Sequence, residues 1–135
     1  MEKVFEEKFV ETFICKRAQG RILSGLSNAE NRKNIRSGLS KLMDYINSGV
    51  VYLRDDLTGA AEIESEIKKL AVNVRLCYVI AGQYDGVVMP FKEALNECFN
   101  DNLASIIIVN DNLAFIKTEV RNNRSMKYIL YKKPN

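Results

Sequence analysis

The fold is decided by residues 76–109, which read LCYVIAGQYDGVVMPFKEALNECFNDNLASIIIV. Residues 76–81 and 105–109 are largely apolar runs of strand length, a pattern typical of strands that are covered on both faces. Between them, Pro90 suits the first turn of a helix whose apolar residues recur at helical spacing up to residue 99. A helical connection between two strands predicts a parallel pair with a right-handed crossover.

Two more strands are predicted further along the chain, over residues 113–120 and 125–131. Short turns rich in Asn and Asp, at residues 110–112 and 122–123, precede them. Such turns join antiparallel neighbours. The sequence therefore predicts a mixed four-stranded sheet with the order β-α-β-β-β along the chain.

The N-terminal half is predicted to hold three helices. The first runs to about residue 19 and places three Phe residues on one side and most of its acids, including Glu6, on the other. The second begins at a capping-box pattern over residues 27–30 and ends near residue 47, and the third spans about residues 60–71. Any apolar part of the first helix that the core leaves unused would be a dimer surface, so monomer and homodimer both stay open.

Together these patterns predict an α+β fold, in which the three helices pack with the mixed sheet. The 135 residues fit a single domain, helical over 1–72 and α/β over 73–135. No apolar run approaches the roughly 18 residues that a membrane span needs. The N-terminus also lacks the apolar stretch of a signal peptide. We therefore expect a soluble, cytoplasmic protein that does not bind membranes.

The composition limits the chemistry. The chain has no histidine, which excludes Ser-His-Asp and Cys-His catalysis within this chain, and it has no glycine-rich phosphate-binding motif. Cys15, Cys77 and Cys98 lack C-x-x-C spacing and lie in apolar stretches, which predicts free thiols rather than disulfides or zinc ligands. We expect no catalytic residues, no metal and no cofactor, and an enzyme is the less favoured interpretation.

One loop is a candidate ligand site. Residues 82–86 follow a predicted buried strand and lead into a helix, a position where open α/β sheets often bind ligands. Asp85 and Glu93 would supply carboxylates, and Gln83 and Tyr84 would orient the ligand. The alternative interpretation is that Asp85 belongs to an ordinary turn and that Glu93 is a solvated helix residue.

Basic charge gathers between residues 16 and 41, although the net charge of the whole chain is only +3. The candidate partner-binding residues are Lys16, Arg17, Arg21, Arg32, Lys33 and Arg36. They would contact an acidic protein surface or the phosphates of a nucleic acid. The alternative is that they form the solvated faces of two helices. No aromatic residue is interleaved in this stretch, so a base-stacking surface is not indicated.

These features support three hypotheses. The leading one is a small cytoplasmic binding protein without catalytic activity, of the adaptor, inhibitor or immunity type, which meets a protein partner through a charged surface. The second is a nucleic-acid-associated protein that uses the basic helices over residues 16–41 and the basic C-terminal tail. The third is a small ligand-binding domain or enzyme centred on the loop at residues 82–86.

Overall fold

The computed structural model of this chain describes residues 2–37, 39–55, 59–71 and 73–133. In chain order the helices and strands are α1 (Glu2–Phe13), α2 (Lys16–Ser27), α3 (Ala29–Ser37), α4 (Leu39–Leu42), β1 (Val51–Asp55), α5 (Ala60–Leu70), β2 (Leu76–Ile80), β3 (Val87–Pro90), α6 (Phe91–Asn100), β4 (Ser105–Asn110), β5 (Leu113–Lys117) and β6 (Lys127–Tyr131). Short 3-10 turns lie at Met43–Tyr45, Ser48–Val50 and Gly82–Tyr84. None of the described helices is long and apolar enough to cross a lipid bilayer.

The strands form one six-stranded sheet in the order β1-β6-β5-β4-β2-β3. Every described pair of neighbouring strands is antiparallel. The predicted α+β class is confirmed. The predicted four-stranded mixed sheet is wrong in the number of its strands and in the parallel pairing of its first two strands, whereas the two predicted antiparallel pairs that follow are present.

The predicted parallel pairing of the first two strands is wrong because a further strand, β3, follows the loop after β2 and ends at Pro90, which the sequence pattern assigns to a helix. This four-residue strand forms a hairpin with β2, in which Val88 lies opposite Tyr78. The helical crossover through α6 therefore starts from β3 and not from β2. It joins β3 to β4, which lie on either side of β2 and run parallel to each other.

The predicted number of strands is wrong because the prediction contains neither β1 nor β3. The residues of β1 are strand-like in composition, but they are few and are mostly exposed. Pairing with β6 forms the strand, with a register shift between Val51 and Leu53. The two paired strands lie far apart in the sequence, so no local sequence pattern predicts their pairing.

The sheet separates two hydrophobic cores, because successive side chains of a strand point to opposite faces. On one face, Tyr78 and Ile80 belong to a core that α1, α2 and α4 complete. On the other face, Cys77 and Val79 belong to a core that α5 and α6 complete. Burying one large apolar side chain contributes about 1.5–3 kcal/mol, so both layers stabilise the sheet.

The first predicted helix falls on two helices in the structure, and the second of them continues to Ser27, beyond the predicted end near residue 19. α1 ends at Phe13 because the chain there pairs with residues 45–47. The Cys15 amide donates to the Tyr45 carbonyl at 2.7 Å, and the Asn47 amide donates to the Phe13 carbonyl at 2.9 Å. These long-range bonds interrupt a helical pattern that is continuous in the sequence.

The second predicted helix corresponds to α3 and α4, and residue 38 between them lies outside the described residues. Its N-cap is Asn28 and not Ser27. The Asn28 Oδ1 accepts the amides of Glu30 and Asn31 at 3.0 and 3.2 Å. Ser27 instead ends α2, where its hydroxyl donates to the Leu23 carbonyl at 2.9 Å. The third predicted helix corresponds to α5.

Candidate functional site

Arg32 extends from α3 into a half-buried cluster of charged side chains. A guanidinium has five N–H donors, and each of these has a partner here. Two of them donate to the Asp85 carboxylate, from Nε at 2.8 Å and from Nη2 at 2.7 Å. Two more donate to the Glu6 carboxylate at 2.8 Å each, and Nη1 also donates to the Leu26 carbonyl at 3.0 Å. Contacts within the chain therefore saturate Arg32.

Glu6 and Tyr78 complete this cluster beneath Arg32. Glu6 is only 6% exposed, and its Oε2 accepts the Tyr78 hydroxyl at 2.5 Å. The hydrogen bonds to Asp85 and then to Glu6 raise the pKa of Arg32. Burial, followed by the bond to Glu6, raises the pKa of Tyr78. The cluster ties α1, α3 and β2 together around two carboxylates and one guanidinium.

Asp85 also fixes the loop that follows β2. Its Oδ1 accepts the Ala81 amide at 2.7 Å. Ala81 has a φ of 72°, a conformation that costs a residue with a Cβ about 1–3 kcal/mol. The hydrogen bond from the Ala81 amide to the Asp85 carboxylate helps to hold Ala81 in this conformation. Asp85 thus has the contacts that its interpretation as a turn residue requires.

Two other residues of the predicted ligand loop line pockets whose linings do not include Asp85. Gln83 and Tyr84 line a cavity of about 10 Å³ beside Ser105, which is too small for more than a water molecule. Gln83 also lines an open, polar depression of about 420 Å³ beside Glu97. Neither Asp85 nor Glu93 lines these two pockets, and Glu93 is exposed on α6. Among the described residues, no group of three or more Cys, Asp or Glu side chains could hold a metal ion.

The three cysteines are free thiols. Burial raises the pKa of Cys77 to about 12, and burial also raises the pKa of Cys98. The Cys98 sulfur lies 2.9 Å from the Ser105 hydroxyl inside the core. Because a thiolate is the reactive form of cysteine, neither buried thiol suits nucleophilic chemistry.

Three of the predicted partner-binding residues lie together on the exposed side of α2. Buried residues of α2 face the core, which directs Lys16, Arg17 and Arg21 outward. The Arg21 guanidinium carbon lies 4.5 Å from the centre of the Tyr45 ring, and that of Arg17 lies 6.0 Å from it. Each such contact contributes about 0.5–1 kcal/mol at an exposed site. We call Lys16, Arg17, Arg21 and Tyr45 the α2 basic patch.

The remaining predicted residues do not join this patch by any described contact. Arg32 lies in the internal cluster, and Lys33 is exposed on α3. The side chain of Arg36 lies outside what the structure describes. In the predicted basic tail, the Arg121 guanidinium pairs with Glu119 at 3.0 Å, and the Lys127 ammonium lies 5.8 Å from the centre of the Phe99 ring.

A second surface, which we call the β3 corner, is apolar. It is a groove of about 190 Å³ beside the edge of the sheet, and its lining includes Phe5, Leu76 and Val88. Phe5 stacks on Tyr78 with their ring centres 5.1 Å apart. The helical spacing of the apolar residues predicts Phe5 on the buried side of the first helix, but Phe5 is 41% exposed.

Two buried charged side chains, Glu6 and Lys117, are not predicted from the sequence. The helical pattern predicts Glu6 on the solvated side of the first helix. Phe9 and Val10, which are buried, follow Glu6 by three and four residues, so all three lie on the same face of α1. This spacing is the feature of the sequence from which the burial of Glu6 could be predicted. Lys117 is buried too, and it donates to the carbonyls of Asp101 at 3.0 Å and Leu103 at 2.9 Å. Burial lowers the pKa of Lys117.

Comparison with known proteins gives no identification. No protein-family model matches the chain, and no curated protein or solved structure matches it significantly.

Proposed function

We propose that this chain is a non-catalytic binding protein, of the adaptor, inhibitor or immunity type, that holds an acidic surface of a protein partner on the α2 basic patch. The observation that carries the proposal is the pair of exposed guanidiniums, Arg17 and Arg21, beside the one ring of Tyr45. Arg and Tyr are enriched among the residues that carry most of the energy of protein interfaces. The ring restricts the arginines before binding, which reduces the entropy lost when a carboxylate engages them.

The internal cluster supports this choice of residues. Arg32 has no donor left for a partner, since its five N–H groups bind Asp85, Glu6 and Leu26. The proposed binding surface therefore includes Lys16, Arg17 and Arg21 of α2 but not Arg32. The free cysteines favour a reducing compartment, and the proposal places the protein in the cytoplasm for this reason.

Nucleic acid is the second candidate partner, because the same arginines could bind phosphates. The structure adds an aromatic side chain, Tyr45, that the sequence between residues 16 and 41 does not contain. Arg21 already lies over that ring, and Tyr45 packs against the core. A base could stack on Tyr45 only by displacing Arg21, which makes an acidic protein surface the better fit.

Affinity capture with charge-reversed variants tests the proposal. Tagged wild-type protein would be compared with Arg17→Glu/Arg21→Glu in lysate of the cells that express it, after nuclease treatment. The matched control is Lys132→Glu/Lys133→Glu, which reverses two exposed charges at the other end of the chain. We expect a stoichiometric protein partner that the α2 variant loses and that the control retains.

Two results would overturn the proposal. A partner that is released by nuclease would transfer the function to nucleic acid. Equal loss of the captured partner in both variants would show that binding depends on the total charge of the protein and not on the α2 basic patch.

A further inference from the structure

The β3 corner is a place where the helical layer leaves the sheet partly uncovered. Leu76 and Val88 point to the same face as Tyr78, because each lies an even number of positions away from it or directly opposite it. Further along the sheet, that face packs against α1 in the hydrophobic core. At the corner, however, Leu76 is 59% exposed and Val88 is 45% exposed. The corner is therefore an open groove between α1 and the sheet.

The apolar walls of this groove are held in place by contacts within the chain. Phe5 of α1 stacks on Tyr78 with their ring centres 5.1 Å apart. The Tyr78 hydroxyl already donates to Glu6, so Tyr78 offers the groove only its ring. Ile108 lies opposite Tyr78 on the neighbouring strand β4 and is buried. A ligand would therefore meet a preformed apolar surface, which reduces the entropy cost of binding.

The volume of the groove limits the size of its ligand. The groove has a volume of about 190 Å³. An apolar cavity of about 150 Å³ holds a molecule of the size of benzene, whereas drug-sized ligands occupy pockets of about 300–1,000 Å³. The β3 corner therefore fits a single apolar group of the size of a leucine or phenylalanine side chain.

The groove also carries one charge of each sign. Within its described lining, Lys8 of α1 is the cation, and Asp111, in the turn after β4, is the anion. Neither side chain belongs to an ion pair in the described part of the chain. The Asn110 Oδ1 accepts the Asn112 amide at 2.8 Å, which fixes the turn that carries Asp111. A ligand with one anionic and one cationic group can satisfy both charges, whereas a singly charged ligand leaves one of them without a counter-charge.

We propose that the β3 corner binds a free α-amino acid with an apolar side chain of the size of leucine or phenylalanine. The side chain of the ligand lies in the groove against Phe5, Leu76 and Val88. The Lys8 ammonium contacts the carboxylate of the ligand, and the Asp111 carboxylate contacts its ammonium group. Such a ligand carries both charges on one carbon atom beside its side chain, which matches one apolar groove with one cation and one anion. The groove shares no residue with the α2 basic patch, so this inference does not depend on the proposed function.

Titration of the whole protein with L-leucine, followed by the NMR shifts of the backbone amides, tests this proposal. Two derivatives separate the charges of the ligand, since N-acetyl-leucine lacks the ammonium group and leucinamide lacks the carboxylate. Leucine should shift the amides of Leu76, Val88 and Asp111, and it should bind about fivefold more tightly than either derivative. A wild type that does not bind leucine at about 10 mM, or that binds all three compounds equally, would overturn the proposal.

Two variants assign the charges to their residues. Lys8→Met should weaken the binding of leucine and N-acetyl-leucine about fivefold and leave the binding of leucinamide unchanged. Asp111→Asn should weaken leucine and leucinamide but not N-acetyl-leucine. Lys92→Met, at an exposed cation of α6 outside the groove, is the matched control and should bind all three compounds as the wild type does. Equal weakening of all three compounds in Lys8→Met would show that Lys8 does not recognise the carboxylate, which contradicts the proposal.

A third variant tests the apolar groove itself. Leu76→Asp should abolish leucine binding, because it places a carboxylate in the apolar wall that the ligand side chain contacts. Leu103→Asp is the matched control, since Leu103 is also an exposed apolar residue but lies outside the groove, and it should keep the wild-type affinity. Both positions are exposed, so both variants should fold, and the NMR spectra report this directly. Leucine binding that persists unchanged in Leu76→Asp would overturn the proposal.

Discussion

The Arg32 guanidinium and the Asp85 carboxylate lie side by side, joined by hydrogen bonds of 2.8 and 2.7 Å, although 53 residues separate them in the chain. The sequence predicts these residues in two different candidate sites, Arg32 on a partner surface and Asp85 in a ligand loop. In the structure they belong to one cluster with Glu6 and Tyr78. Their mutual contacts stabilise the fold and engage the Arg32 guanidinium within the chain.

Removal of Arg32 should destabilise the fold strongly. In Arg32→Ala, the carboxylates of Glu6 and Asp85 remain close together without their counter-charge. Loss of one partner of a buried ion pair costs about 3–5 kcal/mol, and partial exposure of this cluster reduces our expectation to about 2–4 kcal/mol. Urea unfolding measures the change. Lys33→Ala, an exposed neighbour on α3, is the control and should stay within about 0.5 kcal/mol of the wild type. Equal stability of the two variants would contradict the structural role of Arg32.

Tyr78 should limit stability at alkaline pH. Its pKa is raised in the folded state, whereas the phenol of the unfolded chain ionises near about pH 10. Above that pH the unfolded chain binds fewer protons than the folded one, so the free energy of unfolding falls as pH rises. Tyr78→Phe removes this contribution and should lose less stability than the wild type between about pH 9.5 and pH 11.

The same variant should be less stable at neutral pH by about 1 kcal/mol, because Glu6 loses a hydrogen-bond donor. Urea midpoints over a pH series give both quantities. Tyr52→Phe, at an exposed tyrosine, should keep the wild-type slope. If Tyr78→Phe also keeps that slope, Tyr78 is not buried against Glu6 as described.

The thiols should differ in reactivity. Cys15 is half-buried, whereas Cys77 and Cys98 are buried and have raised pKa values. We expect an aromatic disulfide reagent at about pH 8 to modify Cys15 first in the folded protein, and to modify all three thiols in urea. Cys15→Ser should remove the fast phase. Rapid modification of Cys77 or Cys98 in the folded state would show that the core opens there.

Lys117 should anchor the segment between α6 and β4. Lys117→Met keeps most of the apolar stem but removes the donor to the Asp101 and Leu103 carbonyls. Leaving these acceptors without their donor should cost about 1–3 kcal/mol in the free energy of unfolding. Lys69→Met, on the exposed side of α5, is the matched control and should be nearly neutral. A neutral Lys117→Met would mean that water replaces the ammonium group.

Local sequence patterns were sufficient for the elements with long periodic stretches. α5 and α6 have clear helical spacing, and β2 and β4 are continuous apolar runs, so these elements and the α+β class could be predicted. β3 has only four residues and ends in a proline, which gives no alternation to detect. Without β3, the helix α6 is taken to connect β2 directly to β4, which predicts a parallel pair where the structure has an antiparallel one.

The charged cluster could be predicted only in part. The spacing of Glu6 to the buried residues of α1 was a usable signal, because it placed a carboxylate on an apolar stripe. The partners of Glu6 could not be found in this way, since Arg32 and Tyr78 reach it only through tertiary packing. The exposed position of α2 beside Tyr45 depends likewise on the long-range bond between Cys15 and Tyr45.

The most direct test of the proposed function is photo-cross-linking inside the cells that express the protein. A photoreactive amino acid would replace Gly20, which adjoins Arg21 on the exposed side of α2 and has open space for an added side chain. Ser65, exposed on α5 at the opposite face of the sheet, is the control position. We predict one major cross-linked protein from position 20, identified by mass spectrometry, and none of it from position 65. The same products from both positions, or nucleic acid attached at position 20, would contradict the proposal that α2 holds an acidic protein partner.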